Sequence, residues 1–141
     1  MLKRKPVVLL IEDNENVNAA NRQLLEREGY TVRIARSIAE AKRHTTGEEK
    51  VALLDIDLPD SDGLSFLPEL CHLTDAVLVL SGNKEAAAMA VEGGAQGFIG
   101  KPYRLDELCR KVRTLVEPEN AATAGRTQAC QILPAFQQTK R

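Results

Sequence analysis

The stretch that decides the fold is Val51-Ala52-Leu53-Leu54-Asp55-Ile56-Asp57-Leu58-Pro59-Asp60-Ser61-Asp62-Gly63. Its four leading apolar residues predict a strand that is covered on both faces, and such strands belong mostly to parallel sheets. Ligands of open α/β sheets bind at the carboxyl ends of the strands, which is where Asp55 lies. Leu58-Pro59 predicts the end of the strand, and Asp62-Gly63 predicts a turn before the next helix. Asp55 is therefore the candidate reactive group.

Length and composition indicate one soluble domain. The chain has 141 residues, of which 43% are apolar and 4% aromatic, so an aliphatic core in a helix-covered sheet is expected. The formal net charge of −1 provides no general electrostatic attraction to nucleic acid or to an anionic membrane. The three cysteines lack metal-binding spacing and are typical of reduced thiols in a cytoplasmic protein. The basic N-terminus precedes an apolar run too short for a signal peptide or a membrane span.

Predicted strands and helices alternate along most of the chain. The strands are apolar or weakly alternating runs at residues 7–11, 30–35, 51–54, 76–80 and 97–99. The first helix should run from a cap at Asn14 or Asn16 to Gly29, and the others are expected at about 37–44, 63–70, 84–92 and 105–117. Pro68 should end or kink the third helix early. Such alternation predicts a parallel sheet with right-handed crossovers and helices on both faces.

The composition of the chain changes after residue 117. Residues 118–141 are rich in Ala, Thr, Gln and Asn and have no sustained apolar period. This pattern is typical of a tail or a linker and not of a packed domain. We therefore expect a single domain over residues 1–117, followed at 118–141 by a tail or the start of a linker.

Polar side chains follow four of the predicted strands, at the point where each strand ends. They are Glu12 and Asp13 after the first strand, Asp55 after the third, Ser81 after the fourth and Lys101 after the fifth. Because the carboxyl ends of parallel strands meet at one edge of the sheet, these side chains should converge. Two carboxylates ~4 Å apart repel by roughly 4 kcal/mol at an effective dielectric constant of about 20. A cluster of three therefore favours a bound cation.

This set of residues suits a Mg²⁺-dependent phosphoryl transfer. Mg²⁺ prefers one or two carboxylates together with waters and a phosphate oxygen. Phosphoryl transfer needs a nucleophile and positive charge on the phosphoryl oxygens. We expect Asp55 to be the nucleophile and a metal ligand, and Asp13 and Glu12 to hold Mg²⁺, Glu12 partly through water. Lys101 and Ser81 are expected to bind two phosphoryl oxygens.

Two further residues are expected to adjust this chemistry. Asp57 lies two positions after the nucleophile, where its side chain is expected to tune hydrolysis of an acyl phosphate. Its backbone carbonyl is expected to complete the metal shell. Asn83, two positions after Ser81, is expected to flank the site on the other side and to share the tuning.

These residues resemble the receiver domain of two-component response regulators over about residues 6–117. The matching parts are the acidic pair Glu12-Asp13, the loop from Asp55 to Gly63, Ser81-Gly82, and Gly94-Ala95-Gln96-Gly97-Phe98-Ile99-Gly100-Lys101-Pro102-Tyr103. The resemblance implies a flavodoxin-like, doubly wound five-stranded sheet in the order 2-1-3-4-5 and a cis bond between Lys101 and Pro102. Ser81 stands where Thr is commoner in this family, and Phe98 stands where Tyr is frequent.

The same resemblance implies a signalling function. A sensor histidine kinase or a phosphotransfer protein would donate a phosphoryl group to Asp55 with Mg²⁺ bound. The domain would catalyse its own phosphorylation and dephosphorylation and would not turn over an external substrate. Ser81 and Phe98 would shift together and change the face of the fourth helix, fifth strand and fifth helix. An output domain, an output protein or a second copy of the chain would bind that face, and the domain itself would contact neither nucleic acid nor membrane.

Two alternatives stay open at this point. The chain could be the receiver part of a longer regulator with a DNA-binding or enzymatic output. It could also be a haloacid-dehalogenase-like phosphatase, in which the second acid of an Asp-x-Asp pair is the general acid/base. Asp55-x-Asp57, Ser81 and Lys101 echo the first three motifs of that family. Its acidic pair, however, normally follows the Asp-x-Asp, whereas Glu12-Asp13 precedes it.

Overall fold

Strands and helices alternate along the residues that the computed structural model describes, 4–58 and 62–117. The strands are β1 (Val7–Ile11), β2 (Thr31–Ala35), β3 (Glu49–Asp55), β4 (Ala76–Ser81) and β5 (Gly97–Gly100). The helices are α1 (Glu15–Arg27), α2 (Ile38–His44), α3 (Gly63–Leu73), α4 (Lys84–Glu92) and α5 (Leu105–Val116). The predicted β-α alternation is confirmed. The predicted tail, 118–141, lies outside the described residues.

The strands form one parallel sheet in the order β2-β1-β3-β4-β5. This is the flavodoxin-like order that the family resemblance implied, and it makes β2 and β5 the two edge strands. The register aligns the carboxyl ends of the strands, because Ile11 pairs with Leu54, Asp55 with Leu80, and Ser81 with Gly100. The residues that follow these strands therefore lie together at the carboxyl end of the sheet.

Each face of the sheet is covered by its own group of helices. Successive side chains of a strand point to opposite faces. Leu9 of β1 accordingly belongs to a core cluster with α2, α3 and α4, while Leu10 belongs to a second cluster with α1 and α5. Both leucines are almost completely buried. Double coverage explains why β1, β3 and β4 are continuous apolar runs.

Polar side chains at the helix N-termini position the loops above the sheet. Asn14 caps α1 by accepting a hydrogen bond from Val17 N–H, and Ser37 caps α2 by accepting one from Glu40 N–H. Glu40 in turn accepts a hydrogen bond from Arg36 N–H, so Ser37 and Glu40 form a capping box whose second bond goes to the residue before Ser37. These contacts satisfy backbone donors that the helices leave free.

The prediction that Pro68 ends α3 early is wrong, because the helix does not end there. The helix continues to Leu73, three residues beyond the predicted Leu70. Pro68 lacks an N–H and so cannot bond to the carbonyl of Leu64, but it lies on the exposed side of the helix. Phe66, Leu67 and Leu70 are buried against the sheet, and their burial outweighs the lost hydrogen bond.

The third strand begins earlier than predicted. The sequence predicted this strand over residues 51–54, but β3 starts at Glu49, which pairs with Val7 of β1 next to a register shift. Polarity suggested a loop, yet the Glu49 side chain is fully buried and hydrogen-bonded inside the fold. Within the described part of the chain, the helices are too short or too polar to cross a membrane.

Candidate functional site

The carboxyl edge of the sheet brings together the side chains predicted to form the site. Glu12 and Asp13 follow β1, Asp55 ends β3 and Ser81 ends β4. Lys101 follows β5, where its N–H donates to the carbonyl of Ser81 at 2.9 Å and its bond to Pro102 is cis, as the resemblance implied. The predicted convergence is confirmed by the contacts described below.

Three carboxylates lie close together at this end of the sheet and could hold a metal ion. Oxygen atoms of Glu12, Asp13 and Asp55 lie within 4.8 Å of one another. Glu12 and Asp55 are buried, and Asp13 is exposed. Burial and, next, hydrogen bonding with Asp55 raise the pKa of Glu12 to about 7, although the N–H of Asn14 acts in the opposite direction. Such crowded hard oxygen ligands fit a divalent cation such as Mg²⁺, which would relieve their repulsion.

Lys101 supplies positive charge beside these acids. Its Nζ lies 2.9 Å from Oδ1 of Asp55 and 3.6 Å from Oδ2 of Asp57. Burial acts to lower the pKa of Lys101, but hydrogen bonding and charge interaction with Asp55 act more strongly, so the pKa is raised. The ammonium group is therefore fixed between two carboxylates and charged at neutral pH.

Asp55 has the placement expected of a nucleophile. Its side chain is 5% exposed, and Oδ1 accepts a hydrogen bond from Asp57 N–H at 2.8 Å as well as from Lys101. These contacts hold the buried carboxylate in one orientation at the carboxyl end of β3. Its neighbours are a cation on one side and the acids of β1 on the other.

The side chain of Asp57 makes contacts that sequence reasoning missed. Its Oδ1 accepts from the hydroxyl of Ser81 at 3.0 Å, and its Oδ2 accepts from Gly82 N–H at 2.9 Å. Burial acts to raise the pKa of Asp57, but the hydrogen bonds from Gly82 and Ser81 and the charge of Lys101 outweigh it, so the pKa is lowered. The Asp-x-Asp spacing was the available signal, but it did not show which donors the second acid would meet.

The two remaining predicted residues lie further out. The Asn83 side chain accepts from the N–H groups of Glu85 and Ala86 and so caps α4, while its own N–H donates to Ser81 Oγ at 2.9 Å. Phe98 is 40% exposed on β5, with Lys111 Nζ 5.8 Å from its ring centroid. Phe98 is thus not a core residue. Its role as a switch, the tuning roles of Asp57 and Asn83, and the metal contact of the Asp57 carbonyl stay predictions.

Comparisons with known proteins give one consistent result. The family model of the response regulator receiver domain matches residues 8–113. The chain is 31% identical over 124 residues to the KDP operon transcriptional regulatory protein KdpE of Escherichia coli (strain K12), covering 83% of this chain and 54% of that protein. It is 30% identical over 127 residues to the C4-dicarboxylate transport transcriptional regulatory protein DctD of Rhizobium meliloti (strain 1021), covering 86% and 28% respectively. The chain therefore spans about half or less of the length of these relatives.

Solved structures agree with the sequence comparison. A response regulator receiver domain protein (CheY-like) from Methanospirillum hungatei JF-1 superposes with a TM-score of 0.75 at 26% identity, covering 84% of this chain and 99% of that one. The receiver domain of NtrX from Brucella abortus gives a TM-score of 0.71 at 29% identity, covering 78% and 98%. The similarity thus extends over nearly the whole length of each of these solved chains.

Proposed function

This chain belongs to the family of response regulator receiver domains, and we propose that it accepts a phosphoryl group on Asp55 in a Mg²⁺-dependent reaction. The observation that carries the proposal is the ion pair between Asp55 and Lys101 beside the carboxylates of Glu12 and Asp13. A buried acid between a cation and a metal-binding pair is suited to attack a phosphorus atom.

The chemistry of this chain's residues follows from their positions. An Asp55 oxygen attacks phosphorus and forms the acyl phosphate bond while the bond from phosphorus to the leaving group of the donor breaks. The Lys101 ammonium and the Ser81 hydroxyl donate to phosphoryl oxygens and stabilise their charge. Glu12, Asp13 and Asp55 would hold Mg²⁺, which supplies further neutralisation of phosphoryl charge when bound. The domain thereby catalyses its own phosphorylation and is not a turnover enzyme.

The proposed donor is a sensor histidine kinase or a phosphotransfer protein, in the cytoplasm. The proposed readout is the face formed by α4, β5 and α5, which exposes four large apolar side chains. They are Met89, Val91, Phe98 and Leu105. Exposed apolar side chains on one face are typical of a protein-binding surface, and they suit an output domain, an output protein or a second copy of the chain. Transcriptional regulators among the relatives favour a longer protein with a DNA-binding output over a phosphatase.

The first test is labelling with a small acyl phosphate in the presence of Mg²⁺, read by mass spectrometry of the intact protein and of its peptides. Asp55→Asn should abolish labelling, because the amide is a far poorer nucleophile than the carboxylate. Asp75→Asn is the matched control, since Asp75 is an exposed acid paired with Lys50 at the opposite end of the sheet. It should label like the unaltered protein.

The same experiment tests the metal. EDTA should block labelling, because three clustered carboxylates repel one another and the incoming phosphoryl group without a cation. Undiminished labelling of Asp55→Asn would show that the nucleophile is another residue. Labelling that persists in EDTA would remove the metal from the proposal.

A further inference from the structure

The carboxylate of Asp57 occupies the donors that a phosphoryl group on Asp55 would need. The Ser81 hydroxyl donates to Oδ1 at 3.0 Å, and Gly82 N–H donates to Oδ2 at 2.9 Å. Lys101 Nζ lies 3.6 Å from the same Oδ2. A hydroxyl, a backbone N–H and an ammonium group are the kinds of donor that bind phosphoryl oxygens. Asp57 thus presents two anionic oxygens where a phosphoryl group would present its own.

The Asp57 carboxylate and a phosphoryl group on Asp55 would compete for these donors. Ser81 has one hydroxyl proton, and a proton donated to Asp57 is not available to a phosphoryl oxygen. Ser81 Oγ also lies 3.3 Å from the carbonyl of Asn83, but the contact with the charged carboxylate is shorter and stronger. The Asp57 side chain is 38% exposed, so it can swing into solvent without rearranging the core.

We propose that Asp57 is a resident competitor of the phosphoryl group, which holds Ser81, the Gly82 amide and Lys101 until phosphorylation of Asp55 displaces it. This inference rests on the proposed function. It implies that the Asp57 side chain inhibits phosphorylation of Asp55 in the same chain. Removing its carboxylate should therefore increase the affinity of the site for a phosphoryl group.

The alternative is that these contacts only stabilise the loop after β3. Removing the side chain would then lower stability but leave the affinity for a phosphoryl analogue unchanged. The two roles are distinguished by measuring binding and stability on the same variants.

The test is a titration of the full chain with beryllium fluoride, an analogue of a phosphoryl group bound to a carboxylate, followed by ¹⁹F NMR. Mg²⁺ is held at a concentration that saturates each variant, which a separate Mg²⁺ titration establishes. Asp57→Ala should bind the analogue roughly ten- to hundred-fold more tightly than the unaltered protein. In this variant the analogue no longer has to break the hydrogen bonds that Ser81 and Gly82 donate to the charged Asp57 carboxylate. Asp57→Asn keeps one acceptor oxygen and should fall between the two.

Glu85→Gln is the charge control. Glu85 is an acid in the first turn of α4, two residues after Asn83, and its side chain is not part of the proposed site. It should bind the analogue like the unaltered protein, and raising the salt concentration should leave the gain of Asp57→Ala in place, since salt screens only the long-range charge effect. Urea unfolding confirms that every variant is folded.

The outcomes separate this inference from the function on which it rests. If the unaltered protein neither binds the analogue nor accepts phosphate, the proposed function fails. If it binds and the Asp57 variants bind equally or more weakly, the function stands and the competition is overturned. A gain that disappears at high salt, or that Glu85→Gln shares, would also overturn the competition, because it would reflect charge alone.

Discussion

Two buried glutamates, one at each end of the sheet, have opposite environments. Glu49 begins β3 and is fully buried, and its carboxylate accepts from Arg33 Nη1 at 3.0 Å and from the N–H groups of Thr46 and Gly47 at 3.0 and 2.9 Å. Glu12 follows β1, accepts from Asn14 N–H at 2.9 Å and faces other carboxylates. The first charge is compensated by an arginine and by two backbone donors, whereas the second has one backbone donor and lies against other acids.

Glu49 and Glu12 differ in how far the fold compensates their buried charge. Burying a charge is costly unless hydrogen bonds or an opposite charge compensate it. At Glu49 the fold supplies both. At Glu12 the pKa is raised to about 7, first by burial and then by Asp55, so the charged carboxylate is less favourable there than in water. A buried acid whose pKa is raised by burial and by a neighbouring acid is thus a candidate for binding a ligand.

The largest expected effect that would test this comparison is on metal affinity. Glu12→Gln should weaken Mg²⁺ binding by roughly ten- to hundred-fold, because a neutral amide removes one of the charges that attract the cation. Isothermal titration calorimetry measures the dissociation constant. Glu48→Gln is the control, since Glu48 is an exposed acid that pairs with Arg33 and Arg4 away from the site. Equal Mg²⁺ affinities for the three proteins would exclude Glu12 as a ligand.

The next effect is on stability at the other end of the sheet. Glu49→Gln should lower the free energy of unfolding by about 2–3 kcal/mol, because the amide leaves a buried N–H and part of the Arg33 guanidinium unpaired. Urea denaturation gives the value, and Mg²⁺ affinity should not change. Glu48→Gln again serves for comparison, as the neighbouring acid on the same arginine. If Glu49→Gln lowers the free energy of unfolding no more than Glu48→Gln does, the buried contacts of Glu49 do not stabilise the fold more than an exposed ion pair.

The smallest effect has the opposite sign. In EDTA at about pH 8, Glu12→Gln should raise the free energy of unfolding by about 1–2 kcal/mol. The pKa of Glu12 is about 7 in the folded chain against an ordinary value of 4.5, so the folded state holds this proton more tightly. The unaltered protein therefore loses stability as the pH rises from about 4.5 through 7, and Gln avoids that loss.

This gain should depend on pH. At about pH 4 the Glu12 carboxyl is mostly protonated in both the folded and the unfolded state. Its charge should then contribute little to the difference in the free energy of unfolding between the two proteins. Urea denaturation at both pH values makes the comparison. A gain of equal size at the two pH values would locate the effect in packing and not in the charge of Glu12.

Much of the site could be predicted because each part has a local signature. Continuous apolar runs mark strands covered on both faces, and in parallel sheets the residue after such a run lies at the ligand-binding edge. That reasoning found Glu12, Asp13, Asp55, Ser81 and Lys101 from positions along the chain alone. The order of the strands came from the family resemblance, since periodicity within a strand carries no information about its neighbours.

The sequence by itself thus determined the alternating elements and the residues at the strand ends, because both depend on periodicities of a few residues. Only the tertiary structure decided which donor each acid meets. Glu49 and Arg33 are 16 residues apart, and Asp57 and Ser81 are 24 apart, so no local pattern links them. Packing also decided that α3 continues past Pro68, because its buried face outweighs one missing hydrogen bond.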